Sequence, residues 1–127
     1  MSVNLRDPLA QARGLGSAKD GVRHWWLQRL TAVALMLLLP WFVWLALGLI
    51  GADQFTVRAT VGQPLNATLM LALVFALFWH AQLGLQVVVE DYVHGWLELV
   101  LQIVIKFACV LAALASAIAI GRIAFSL

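Results

Sequence analysis

The chain has 127 residues, of which 64% are hydrophobic and only 11% charged, and its formal net charge is +2. A soluble domain carries roughly 25% charged residues, so there are too few charges here to coat a water-facing surface, and a soluble globular domain is excluded. Arg6, Arg13, Lys19, Arg23 and Arg29 are spread thinly ahead of or at the start of the first apolar run; beside a membrane span this pattern sets orientation and makes a poor nucleic-acid footprint.

The first apolar run, residues 30–52, contains no charged residue. A helix needs about 20 apolar residues to cross the hydrocarbon, and a cleaved signal has a shorter core of about 7–15, so the run is expected to be a retained span. Pro40 in its middle is expected to kink the helix or open one backbone bond. Residues 51–64 hold Asp53, Arg58, two glycines and a proline and read as a loop. The second run, residues 65–89, has His80 as its only ionisable group, and the third, residues 99–121, has Lys106 as its only charge. The short connection 90–98 makes the second and third spans antiparallel neighbours.

The expected architecture is an all-α membrane protein of three transmembrane helices, near 27–51, 65–90 and 97–122. Residues 1–26 form a cytoplasmic N-terminal segment and 27–127 a membrane domain. The positive-inside rule places the basic N-terminus in the cytoplasm. Trp25, Trp26 and Trp96 then lie at the cytoplasmic interface, where indoles favour the headgroup level. Trp41, Trp44 and Trp79 sit deeper and are expected to pack against partners or a ligand. The lone Cys109 has no CxxC partner and reads as a small buried hydrophobe.

Several residues have both a bland and a chemical reading. A histidine inside a span, like His80, marks a functional site. Its neutral ring either hydrogen-bonds a neighbouring helix or ligates haem iron. Gly84, four residues on and on the same face, allows either close helix packing or the approach of a flat macrocycle. Asp91 and Tyr92 lie about three turns beyond His80, roughly 16 Å along the helix. They form a polar interfacial end, where Tyr92 offers a phenolic donor. Glu98, Gln102 and Lys106 make a stripe running inward on the third span, for which snorkelling of the lysine suffices. Arg23, His24 and Arg29 read as headgroup contacts or as partners for an anion.

Two stretches carry a family resemblance. Residues 80–93, HAQLGLQVVVEDYV, show a histidine, a glycine four residues later and then an Asp-Tyr pair. This resembles the second helix and following loop of the membrane anchor subunit of succinate dehydrogenase, complex II. Residues 14–35, with Gly21, Arg29, Thr31 and Ala32 in register, resemble that family's N-terminal stretch and first span. The resemblance implies the smaller hydrophobic anchor in a helical bundle with a second, cytochrome b anchor subunit. Together they dock an iron–sulfur subunit and a flavoprotein subunit. It implies one b-type haem shared between the anchors, with His80 as an axial ligand to the iron. It also implies a ubiquinone site with Tyr92 as donor and Asp91 beside it, and Arg29 near the haem propionates or the quinone pocket. Some relatives have histidine where this chain has Arg23, with His24 shifted by one, which leaves the role of His24 open; Lys106 matches no role of the family.

The chain has no GxGxxG for a flavin and no cysteines for an iron–sulfur cluster, so it is not catalytic alone. Two other readings stand beside the anchor. A fumarate reductase anchor shares the layout, and the direction of reaction is not written in these residues. A structural membrane helper needs no haem. A proton-coupled transporter calls for a carboxylate within a span, and the first two runs contain none. The absence of a transit peptide leads us to expect a bacterial inner membrane, with the electron-transport and tricarboxylic-acid-cycle role of the family.

Overall fold

A computed structural model describes residues 19–126, with side chains from residue 21. The N-terminal segment before residue 19, including Arg6 and Arg13, lies outside the described residues. Four helices follow in chain order: α1 (Lys19–Gly48), α2 (Gln54–Val61), α3 (Pro64–Tyr92) and α4 (Trp96–Ala124). Among the described residues there is no strand. Helices α1, α3 and α4 are each long and apolar enough to cross a membrane, as the three apolar runs require.

The elements depart from the sequence-based boundaries at identifiable places. Helix α1 already runs from Lys19, not from near residue 27, because residues 19–26 hold no proline and the single Gly21 costs a helix only about 1 kcal/mol. It continues through Pro40 as one element; the proline removes the N–H that the carbonyl one turn earlier would have used. The expected loop 51–64 contains the short helix α2. Asp53 supplies its N-cap, accepting from the Thr56 N–H at 3.1 Å, which satisfies one of the orphan donors of a first turn. Pro64 opens α3 at its first position, where a missing N–H costs nothing. Gly95, at φ 78°, makes the tight turn into α4, a backbone region that glycine enters freely. Glu98 in the first turn of α4 and Arg122 in its last both complement the helix dipole.

Helix α3 is the central member. It packs against both α1 and α4, and the backbones of α1 and α4 do not approach each other closely among the described residues. The small core consists of residues such as Leu35 and Leu45 on α1, Leu73 and Leu83 on α3, and Ala113 and Ile120 on α4. Large apolar side chains elsewhere remain exposed, among them Leu37, Trp44, Phe75, Phe107 and Leu111. In water such a surface would aggregate; in a bilayer it meets lipid or neighbouring helices. Trp44 and Trp79 belong to this outward set. Because α1 and α3 are antiparallel, the start of α1, the end of α3 and the start of α4 share one side of the bundle.

Candidate functional site

The face of α3 that carries His80 turns toward α1. His80, Gly84 and Val87 recur at helical spacing and line one wall of a groove of about 600 Å³; Gly21, His24, Trp25, Gln28, Arg29 and Ala32 line the other. The antiparallel register puts Gln28 opposite Gly84, where a Cβ added to the glycine would meet only Gln28 Nε2, at 3.8 Å. The glycine therefore leaves a shallow space one turn from the histidine and is not pressed against a neighbouring backbone.

Thr31, beside the groove on α1, is 7% exposed. Its Oγ1 is 2.8 Å from the Leu27 carbonyl, 3.1 Å from the Gln28 carbonyl and 3.0 Å from His80 Nδ1. A threonine hydroxyl has one hydrogen to donate. A bare Oγ1 lone pair set against a carbonyl oxygen at 2.8 Å would be repulsive, so that hydrogen goes to a backbone carbonyl of α1. Oγ1 is then the acceptor for His80, and Nδ1 carries the imidazole hydrogen. A neutral ring protonated on Nδ1 keeps its lone pair on Nε2. His80 is thus a hydrogen-bonded helix contact through one nitrogen and an available ligand through the other, so the two sequence readings of this residue are compatible.

The groove also carries polar atoms with no partner. His24 Nε2 and Gln28 Oε1 are buried and unpaired among the described residues. Buried polar groups are ordinarily hydrogen-bonded, so these two call for a group from outside the chain. Arg29 adds a cation at the same edge, its guanidinium 5.5 Å from the Trp25 ring centroid, a cation–π contact that steadies a long side chain. His24, and not Arg23, lines the groove.

The remaining predicted residues are elsewhere. Asp91 and Tyr92 end α3 beyond the groove and are exposed, Tyr92 to 81%. His80 and Arg29 are brought together; Asp91 and Tyr92 are not joined to them within this chain. The stripe on α4 is split: Gln102 donates to the Gln86 carbonyl of α3 at 3.2 Å, while Lys106 stays exposed. No group of three or more His, Cys, Asp or Glu among the described residues is placed to hold a metal ion.

Residues 3–120 match the family of succinate dehydrogenase/fumarate reductase transmembrane subunits. The chain belongs to this family. It is 37% identical over 93 residues to the succinate dehydrogenase hydrophobic membrane anchor subunit of Rickettsia bellii, covering 73% of this chain and 74% of that one. It is 30% identical over 122 residues to the corresponding subunit of Rickettsia conorii, covering 94% and 97%. It is 34% identical over 88 residues to that of Paracoccus denitrificans, covering 69% and 68%. With its three apolar helices, the chain is a multi-pass membrane protein of the anchor type.

The groove geometry adds Gln28 and Ala32 as lining residues and Thr31 as the partner of His80. Thr31 and Ala32 stand in the sequence only as pieces of a family pattern. The available signal was a hydroxyl within an uncharged run, but which helix it meets depends on a register that hydropathy does not encode.

Proposed function

We propose that this chain is the hydrophobic anchor of a succinate:quinone oxidoreductase, holding the iron–sulfur and flavoprotein subunits at the membrane beside a cytochrome b anchor subunit. His80 supplies one axial ligand to a shared b-type haem. Tyr92 and Asp91 contribute to a ubiquinone pocket completed by the partners. The N-terminus faces the cytoplasm of a bacterial inner membrane, with Arg23 and Arg29 on that side and only Arg58 and Arg122 near the other, as the positive-inside bias favours.

The supporting observation is the groove between α1 and α3. Its donor set suits a haem: His80 in its wall with the Nε2 lone pair free, a glycine that leaves room, and Arg29 and His24 along one edge for propionate carboxylates. His80 would hold the haem iron, and the group would supply one-electron redox chemistry there. The chain's own residues orient the ligand nitrogen, neutralise the carboxylates through Arg29, and exclude water with apolar walls. At the end of α3, the Tyr92 hydroxyl donates to a quinone carbonyl, and charge developing on that oxygen strengthens the bond. Tyr92 is largely exposed in this chain, as a residue completed by another subunit would be.

The test is a reduced-minus-oxidised optical spectrum of the tagged complex in mild detergent, with succinate as reductant. A b-type band with flavoprotein and iron–sulfur partners supports the reading. Partners without a band would reduce His80 to a helix contact, and neither would leave a structural membrane helper. The family description spans both directions of the reaction, so a fumarate reductase anchor is the second reading; comparing succinate oxidation with fumarate reduction in the same preparation separates them.

A further inference from the structure

We infer that Thr31 is the positioning residue for His80: it fixes the imidazole tautomer and ring orientation and thereby tunes the haem iron. This rests on His80 being an axial ligand, as proposed above, and goes beyond it by assigning a residue on a different helix to control that ligand.

Thr31 is the one buried polar residue among the described side chains, and both its hydroxyl hydrogen and an oxygen lone pair are engaged. Its hydroxyl donates into the α1 backbone at Leu27, 2.8 Å away. Its oxygen accepts from His80 Nδ1 at 3.0 Å. The result is a relay, Nδ1–H to Oγ1–H to a helix carbonyl, in which each bond polarises the next. A histidine ligand with its second ring nitrogen bonded in this way is held in one tautomer and made a better electron donor to the metal. An imidazole flipped about its outer side-chain bond would present carbon to Thr31 and forfeit the contact, so the same bond selects the rotamer. Thr31 never touches the iron; it acts only through His80. The requirement also explains the residue type. Valine has the same shape without the acceptor, and serine has the acceptor without the methyl that packs in the span.

The experiment uses the whole complex carrying Thr31→Val, Thr31→Ser or His80→Ala. The readouts are haem content per complex, the low-spin electron paramagnetic resonance signal and the midpoint potential of the haem. Removing a hydrogen bond to a metal-ligating histidine costs about 10- to 100-fold in affinity. Thr31→Val is therefore expected to lose haem during detergent washing. The haem that remains should show a more positive potential, because a weaker donor stabilises the oxidised iron less, and an altered resonance signal. Thr31→Ser is expected to restore both. If Thr31→Val matches the wild type in loading, potential and resonance while His80→Ala loses the band, the positioning role is overturned and the ligand assignment stands. If His80→Ala keeps an unchanged band, both fail together. Should Thr31→Val not assemble, Thr31→Ala against Thr31→Ser decides: a shift in alanine alone supports the role, and equal shifts in both overturn it.

Discussion

Gln102 on α4 reaches across the bundle and donates its amide to the backbone carbonyl of Gln86 on α3, at 3.2 Å. That bond fixes the register of the two helices that share the short connection. Its worth is small. Interhelical hydrogen bonds in membranes average about 0.6 kcal/mol and reach about 1.7, and Gln102 Oε1 is itself buried without a partner among the described residues. Gln102→Leu deletes the bond and the unpaired acceptor together. The expected loss is under about 1 kcal/mol, measured as a small drop in the denaturing-detergent midpoint of the complex. A loss of several kcal/mol would show that Gln102 carries a larger network than this chain contains.

Gly84 separates two explanations of the groove. If the glycine served only close packing of α1 on α3, adding a methyl would force the helices apart. The added Cβ meets nothing nearer than Gln28 Nε2 at 3.8 Å, so Gly84→Ala is expected to assemble normally. Gly84→Phe fills the groove itself. Overfilling a packed site costs about 1–3 kcal/mol, and every 1.4 kcal/mol is about tenfold in occupancy. Haem content in Gly84→Phe should therefore fall roughly tenfold or more with His80 intact. Full haem content in that variant would place the haem elsewhere.

The spans and the candidate ligand were legible for plain reasons. Three long runs almost without charge have no stable home in water, and a histidine followed four residues later by glycine shares one helical face. What sequence periodicity could not provide was the pairing. Nothing in residues 65–89 states that His80 turns toward α1 while Gln86 turns toward α4, so Thr31 and Gln28 could not be matched to it. Helix α2 was hidden because Gly51, Gly62 and Pro64 signal a loop more loudly than one capping aspartate signals a helix. Asp91, eleven residues from His80, shares its face by spacing, yet the groove lining stops at Val87, so the spacing said nothing about reach.

Asp53 makes a pH prediction outside the membrane. Hydrogen bonds from the Thr56 side chain and then its N–H hold the Asp53 carboxyl below its ordinary value. A depressed carboxyl adds stability that is fully present above the unfolded pKa, about 3.9, and is lost as pH falls through the lower folded value. The cap of α2 should thus persist at pH 5 and weaken only below the ordinary aspartate range. The amide shift of Thr56, followed by nuclear magnetic resonance, should titrate with a midpoint under 3.9. Asp53→Asn should abolish that titration while keeping a cap acceptor, and Asp53→Ala should fray the first turn of α2 at every pH. A midpoint at or above the ordinary value would refute the capping account.

Tyr92 gives the sharpest test of the quinone assignment, because it lies apart from the groove. Its ring ends α3 largely exposed in this chain, and the groove lining stops one turn earlier, at Val87. Replacing it should therefore leave His80, Thr31 and any haem spectrum undisturbed. Tyr92→Phe keeps the ring and removes only the hydroxyl. Loss of one donor to a developing oxyanion lowers turnover by about 10²–10³-fold, so succinate-driven quinone reduction should fall steeply while succinate oxidation with a soluble electron acceptor continues. The two assays, run on one preparation, separate a quinone donor from an assembly residue. If both activities fall together, Tyr92 holds the subunits in place; if neither falls, another group donates to the quinone.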